Sequence, residues 1–265
     1  MTRRTGRAAS TDIEAAEVAL TADMAVLAER IPVLAPALDH VERFPVRLRG
    51  PGFATLLKII LDQQVSTAAA DAMWRRLEET LPAVEPEGFL TLDADTLKAC
   101  GFSRQKTAYG QALARAILDG DIDLDHVARL EDTPAMEALT ALKGIGSWSA
   151  ECYLLFGLGR RDVLPAKDLA LQIGWQIAAG TETRPGHDDL YALGEDWRPH
   201  RSAASFMLWR IYLAWQAERR TETAARKSGG ATSGSAESGH AKSGNAKSGN
   251  TKSGKPAAAR RRRAD

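Results

Sequence analysis

Between Leu142 and Ser149 the chain reads Leu-Lys-Gly-Ile-Gly-Ser-Trp-Ser, two glycines set between apolar segments with helical spacing. Upstream, Thr133-Pro134 can open a helix, because proline at the first position gives up only an N–H that would be unpaired there anyway. Met136, Leu139 and Leu142 continue that helix on one face. Gly144 and Gly146 allow a tight reversal and let bare backbone come close to a partner. Ser147 stands where a cap for the next helix belongs, and the free N–H groups at such a helix start favour an anion. Together these signals describe a helical hairpin that can hold one phosphate of a nucleic-acid backbone without reading a base. Taken alone, a Gly-x-Gly turn equally well joins two packed helices.

The rest of the chain supplies helices and no convincing strands. Residues 1–10 read as a disordered basic lead-in, and Thr11-Asp12 can cap a helix running to about Arg30, stopped by Pro32. Phe53–Asp62 reads as a buried helix, followed by the turn Gln63-Gln64-Val65. Ser66 caps the next helix, whose Ala70, Met73, Trp74, Leu77 and Leu81 share a face. Short helices are predicted near 93–99, 103–118 and 123–130, with Gly101 and Gly120 as terminators. Beyond Asp168 come helices to about Ala178, near 189–197, and from Pro199 to about Ala217. The expected organisation is a disordered 1–10, an all-α domain over 11–217, and a disordered tail over 218–265. That tail repeats Lys-Ser-Gly, ends in Arg260-Arg-Arg-Arg263, and has almost no large apolar side chain.

The downstream half makes the hairpin specific. Leu-x-Gly-Ile-Gly-x-Trp-Ser-Ala, with Pro165-x-x-Asp168 placed twenty residues after Trp148, resembles the helix–hairpin–helix DNA glycosylase superfamily, and within it the 3-methyladenine DNA glycosylase II branch. Ile60-Leu-Asp-Gln-Gln-Val-Ser66 and Trp197-Arg-Pro-His-Arg-Ser-x-Ala204 through Trp209 match in order and spacing, so the resemblance covers about residues 50–216. It implies two helical lobes with an active-site cleft between them. Nothing before residue 50 alternates like strands, so the N-terminal β domain of longer relatives is not expected. It further implies excision of a damaged base from double-stranded DNA after base flipping, by a monomeric hydrolase of base excision repair.

Breaking an N-glycosidic bond builds oxocarbenium-like charge on the sugar, which a nearby carboxylate stabilises while orienting water. By the resemblance that carboxylate is Asp168; read from its neighbours alone, Asp168 is a helix N-cap before Leu169, Ala170 and Leu171. The two roles are compatible. Asp162 is the runner-up, with a structural role as its plainer reading. Bifunctional members carry a Schiff-base lysine where this chain has Trp148, and tryptophan has no nucleophilic nitrogen. The resemblance therefore implies a monofunctional enzyme that leaves an abasic site. Trp148, Trp209, Tyr153 and Phe53 are candidates for the base pocket, where electron-rich rings hold a cationic alkylated purine; core packing is the competing reading, and the favoured one for Phe53. Where some relatives have a tyrosine four residues after the tryptophan, this chain has Cys152. Gln63, Gln64, Gly144, Ile145 and Gly146 are candidates for DNA contact, with Gln64 at the position of the wedge that fills the flipped base's gap. Arg201 is expected to brace the fold through a carboxylate. Two alternatives stay open: a glycosylase for oxidised or mismatched bases, and a non-catalytic helix–hairpin–helix DNA-binding module.

Charge complicates this reading. Residues 219–265 hold twelve Lys/Arg and three Asp/Glu, net +9, so the remaining 218 residues carry net −8. A DNA-facing positive patch must then be local, with the tail as a basic arm that adds phosphate attraction. Cys100 and Cys152 have no metal-type spacing, and the five histidines are scattered, so neither a metal nor a required cofactor is expected. A structural monovalent cation at the hairpin carbonyls is allowed by the resemblance. No membrane-spanning stretch or signal peptide is recognisable, which points to a bacterial cytoplasmic, nucleoid-associated protein.

Overall fold

The computed structural model describes residues 3–230, with side chains from 13 to 225, and among these residues there are helices and no strands. The buried helix predicted at 53–62 is the centre: α2 (Phe53–Asp62) hides eight of its ten residues. It packs against α3 (Thr67–Thr80), α6 (Arg104–Leu118) and α9 (Ser147–Phe156). Even Lys58 is buried on α2. Its ammonium is compensated by Asp62 at 2.6 Å and Asp71 at 3.0 Å, which is the condition for keeping a cation in such a place. The short helices α4 (Pro86–Thr91) and α5 (Ala94–Ala99) pack on α6, and α7 (Leu124–Arg129) leads into α8 (Asp132–Thr140) beside α9.

The second group comprises α1 (Arg3–Arg30), a 3-10 segment Pro32–His40, α10 (Leu169–Ala179), α11 (His187–Gly194), a 3-10 turn Glu195–Trp197 and α12 (Arg201–Gly230). Charged ties fasten α1 here. Asp23, almost fully buried, receives Arg161 and lies 3.0 Å from His200 Nδ1, and Arg30 donates to the Asp196 and Arg198 carbonyls. Arg210, buried on α12, donates through Nε to the Phe44 carbonyl at 2.7 Å. Within the first group the Gly52 N–H, at the start of α2, donates to the Tyr153 hydroxyl of α9 at 2.9 Å.

Several helix ends differ from the sequence reading. α1 starts at Arg3, so the predicted lead-in is helical and Thr11 lies inside the helix rather than at its cap. Arg and Ala are strong helix formers, and the lone Gly6 costs only about 1 kcal/mol. α12 opens at Arg201 and continues past Ala217 to Gly230, because Glu218 to Lys227 contains no breaker. The rest of the predicted tail lies outside the described residues. The helix expected near 189–197 is α11 followed by the 3-10 turn. The cap at Ser66 forms as read, and Asp93 and Ser103 likewise cap their helices, each accepting an N–H three residues on. No described helix is long and apolar enough to cross a membrane.

Where α10 crosses α12, the two backbones touch at Gly174, and a Cβ there would overlap the Leu208 carbonyl. Gly→Ala inside a helix ordinarily stabilises by up to about 1 kcal/mol. At Gly174 the sign should reverse, with a loss of about 1–3 kcal/mol and a Tm lower by roughly 2–12 °C in thermal unfolding.

Candidate active site

The hairpin joins α8 to α9. Gly144 sits at φ +90°, and a side chain there would also run into the Tyr109 ring, so glycine is required twice over. The cap of α9 is Gly146, not Ser147, and no side chain satisfies its N-terminus. Space beyond the Gly146 Cα is open. The N–H groups at the start of α9 precede any acceptor within the helix, so they are available to an anion. Lys167 Nζ donates to Ser147 Oγ at 2.9 Å, which brings a cation to the same point.

Asp168 combines both readings of the sequence. As N-cap of α10 its Oδ1 accepts from the Ala170 N–H at 2.8 Å and the Leu171 N–H at 3.3 Å. Its Oδ2 accepts from Trp148 Nε1 at 3.0 Å, tying the first turn of α9 to the start of α10. Both side chains are half-buried. Trp209, also half-buried, stacks on Phe156 at the end of α9 with centroids 5.2 Å apart and lies edge-on to Phe206 at 5.7 Å. Trp148 in the first turn of α9 and Trp209 against its last residue both stay partly accessible.

The other pocket candidates do not. Tyr153 is fully buried with its hydroxyl committed to Gly52, and Phe53 is packed edge-on against Phe89 at 5.7 Å. Neither leaves a ring face accessible, which corrects the pocket-wall expectation for Tyr153 and agrees with the favoured core reading of Phe53. The helical period explains it: four residues after Trp148 comes Cys152, so Tyr153 is rotated into the core.

The Gln-Gln turn also divides. Gln63 points inward, its Nε2 donating to the Gly144 carbonyl and to Ser149 Oγ, both at 2.9 Å. It is a strut between this turn and the hairpin rather than a DNA contact. Gln64 adopts φ +55° and is exposed, with Val65 exposed beside it. Lys106 Nζ donates to the Leu61 carbonyl at 2.5 Å and so anchors the turn from behind; burial lowers its pKa first, with Asp62 opposing. At the hairpin, the Ile145 N–H is not available to a phosphate as expected, because it donates to the Leu142 carbonyl at 3.1 Å. Asp162 serves the fold, as its plainer reading had it. Arg201 Nε donates to Asp162 Oδ1 at 2.8 Å and Arg201 Nη2 to the Asp162 carbonyl at 2.7 Å, the bracing role expected of Arg201.

Two groups near the cleft were not singled out in the sequence. Arg49 lies in a stretch without periodicity. Glu151 sits mid-helix like any solvated residue, yet it is largely buried, its Oε1 accepting from the Tyr191 hydroxyl at 2.5 Å and its Oε2 without a partner. Burial pushes the Glu151 carboxyl up to about 7, against the Tyr191 hydrogen bond, Lys167 and Arg201, which favour the charge.

A family profile described as HhH-GPD superfamily base excision DNA repair protein matches residues 57–199. DNA-3-methyladenine glycosylase 1 of Schizosaccharomyces pombe is 32% identical over 162 residues, covering 60% of this chain and 71% of that protein. DNA-3-methyladenine glycosylase 2 of Escherichia coli is 28% identical over 177 residues, and the match spans only 60% of its length. Among solved structures, the S. pombe 3-methyladenine DNA glycosylase in complex with abasic DNA superposes with TM-score 0.59 at 30% identity, covering 62% of this chain and 82% of that one. A Bacillus halodurans DNA-3-methyladenine glycosidase gives TM-score 0.59 at 28% identity over 74% of this chain and 91% of its own.

The Glu151 carboxyl makes stability fall with pH. Its folded pKa lies above the unfolded value of 4.5, so the neutral form's contribution is full below pH 4.5 and lost as pH rises to about 7. Urea unfolding of the wild type should lose on the order of 3 kcal/mol across that window relative to Glu151→Gln, which keeps an acceptor for Tyr191 and cannot ionise.

Proposed function

The chain belongs to the HhH-GPD superfamily of base excision DNA repair proteins, and from that premise we propose that it is a monofunctional DNA glycosylase that hydrolyses the N-glycosidic bond of alkylated purines. The observation that carries this is the half-buried Asp168 carboxylate, fixed by three N–H donors, one of them the Trp148 indole. The substrate is double-stranded DNA with one damaged base, and the protein acts as a monomer.

Binding begins at the hairpin. The N-terminus of α9 at Gly146, Ser147 and Trp148 takes a backbone phosphate, with Lys167 adding charge. The damaged nucleotide turns out of the duplex into the cleft, and exposed Gln64 on its anchored turn fills the gap. Between the tryptophans an alkylated purine stacks, and where alkylation has made it cationic the rings add on the order of 1–2 kcal/mol. As the C–N bond stretches, positive charge grows on the deoxyribose beside Asp168, which stabilises it and orients the water that attacks the anomeric carbon. The base leaves and an abasic site remains.

No ammonium stands where a Schiff base would form. Lys143 is exposed on the hairpin and Lys167 is engaged with Ser147. This supports hydrolysis without strand nicking. The Leu142 and Gly144 carbonyls each accept one N–H and retain a lone pair, so a monovalent cation fits the hairpin's donor chemistry. It would brace the turn and take no part in bond cleavage.

Asp168→Asn keeps a carbonyl for the α10 cap and removes the negative charge. Release of methylated purines from duplex DNA should fall by roughly 10²–10³ with DNA binding retained. Wild-type product should stay unnicked until heated or treated with alkali. DNA binding without base release by the wild type would sink the reading.

A further inference from the structure

Ser147 and Glu151 stand at i and i+4 on α9, so they are neighbours on one face of that helix, with Cβ atoms about 5–6 Å apart. At the helix start Lys167 Nζ donates to Ser147 Oγ at 2.9 Å, where no side chain caps the free N–H groups. One turn on, the Glu151 carboxyl is divided. Its Oε1 accepts from the Tyr191 hydroxyl of α11, and its Oε2 is buried with no hydrogen-bond partner. No ion pair reaches it among the described residues. Lys167 is the cation that bears on it most, ahead of Arg201, which is committed to Asp162. The charged and titratable groups facing Glu151 are thus Lys167 from the loop before α10, Tyr191 from α11, Arg201 from α12, and Cys152 beside it on α9. Among the described residues α2 and α8, which also pack on α9, bring none to it. Burial and the Glu151 contact push Tyr191 up, and burial pushes Cys152 well up, while Glu151 itself changes charge near neutral pH.

A lysine on its flexible four-carbon stem can serve either acceptor, the hydroxyl at the helix start or the free carboxyl oxygen one turn on. Which one it serves depends on whether that oxygen carries charge, because a buried carboxylate without a partner gains most from a cation that can reach it. We propose, on the reading that the start of α9 grips a DNA phosphate, that Glu151 is a positioning residue acting through Lys167: protonated, it leaves the ammonium at Ser147 beside the phosphate, and ionised, it draws the ammonium inward and sets a negative charge one turn from the phosphate. DNA binding and proton uptake are then coupled. DNA-bound protein holds Glu151 neutral more firmly than free protein does, so affinity is full below about pH 7 and falls as pH rises beyond it.

The test is the Kd for a duplex carrying an uncleavable tetrahydrofuran abasic analogue, read by fluorescence anisotropy across the pH range in which Glu151 ionises, at fixed ionic strength and at a temperature where melting curves show each protein folded. Wild type should lose about tenfold in affinity over that range relative to Glu151→Gln, which cannot ionise. Tyr191→Phe removes the hydrogen bond that favours the charged carboxyl and should move the wild-type midpoint to higher pH. Lys167→Met should bind more weakly than wild type below the midpoint and lose less above it. An equal pH dependence in wild type and Glu151→Gln would overturn the proposal and leave DNA binding intact. If Glu151→Gln does not fold, the midpoint in Tyr191→Phe decides: an unchanged midpoint overturns the assignment. Wild type that binds the duplex at no pH would instead overturn the phosphate-grip reading, and the proposal with it.

Discussion

One carboxylate fixes the relation between the two helical groups at the cleft. Asp168 starts α10 by accepting the Ala170 and Leu171 N–H groups, and it holds Trp148, in the first turn of α9, by the indole N–H. The two helices that would grip DNA and carry the chemistry on the proposed reading are thereby registered through a single side chain. Behind them Gln63 adds a second registration, joining the turn after α2 to the Gly144 carbonyl and Ser149. The groups that would touch phosphate, base and gap are then mounted on three helix ends tied to one another. Such preorganisation is what an electrostatic mechanism needs, because donors and acceptors need not reorganise as charge develops.

The acidic body is less of an obstacle than its net charge suggests. Phosphate attraction at a hairpin depends on the partial positive charge of a helix N-terminus and on nearby cations, and both act within one turn. The start of α9 has no side-chain cap to compete, and Lys167 stands against Ser147 at that point. Much of the negative charge is meanwhile spent inside the protein. Asp23 takes Arg161, Asp62 takes Lys58, and Asp162 takes Arg198 and Arg201. These carboxylates brace loops and helix ends, and they project little field toward a bound duplex.

Periodicity and caps made most of the helices legible, including α2 to the residue and the caps at Ser66 and Asp168. What the pattern could not show was direction. Two consecutive glutamines look alike in the sequence, yet the left-handed backbone at Gln64 turns one inward and leaves the other exposed. Tyr153 looked like a pocket wall because aromatics cluster there, although the i+4 rule from Trp148 leads to Cys152. The Ile145 N–H was lost to a local bond with Leu142 that only the turn's geometry reveals. Arg49 and Glu151 were silent for another reason: their importance comes from long-range packing, Arg49 against Phe156 and Glu151 against Tyr191. The ends of α1 and α12 ran past their predicted limits because low hydrophobicity was read as disorder, whereas helix propensity there is high.

Asp168's hydrogen bonds also say where a nucleophile can go. A carboxylate offers about four lone-pair positions. On Oδ1 two are taken by the α10 cap, and on Oδ2 one is taken by the Trp148 indole. The position left lies on Oδ2, the oxygen on the cleft side beside Trp148. On the proposed reading, a water bound there would be held beside the Trp148 ring, and the same oxygen would face the sugar carbon as its charge grows. The cap therefore does more than start a helix. By occupying Oδ1 it prevents the carboxylate from rotating and leaves a single oriented acceptor for the reaction.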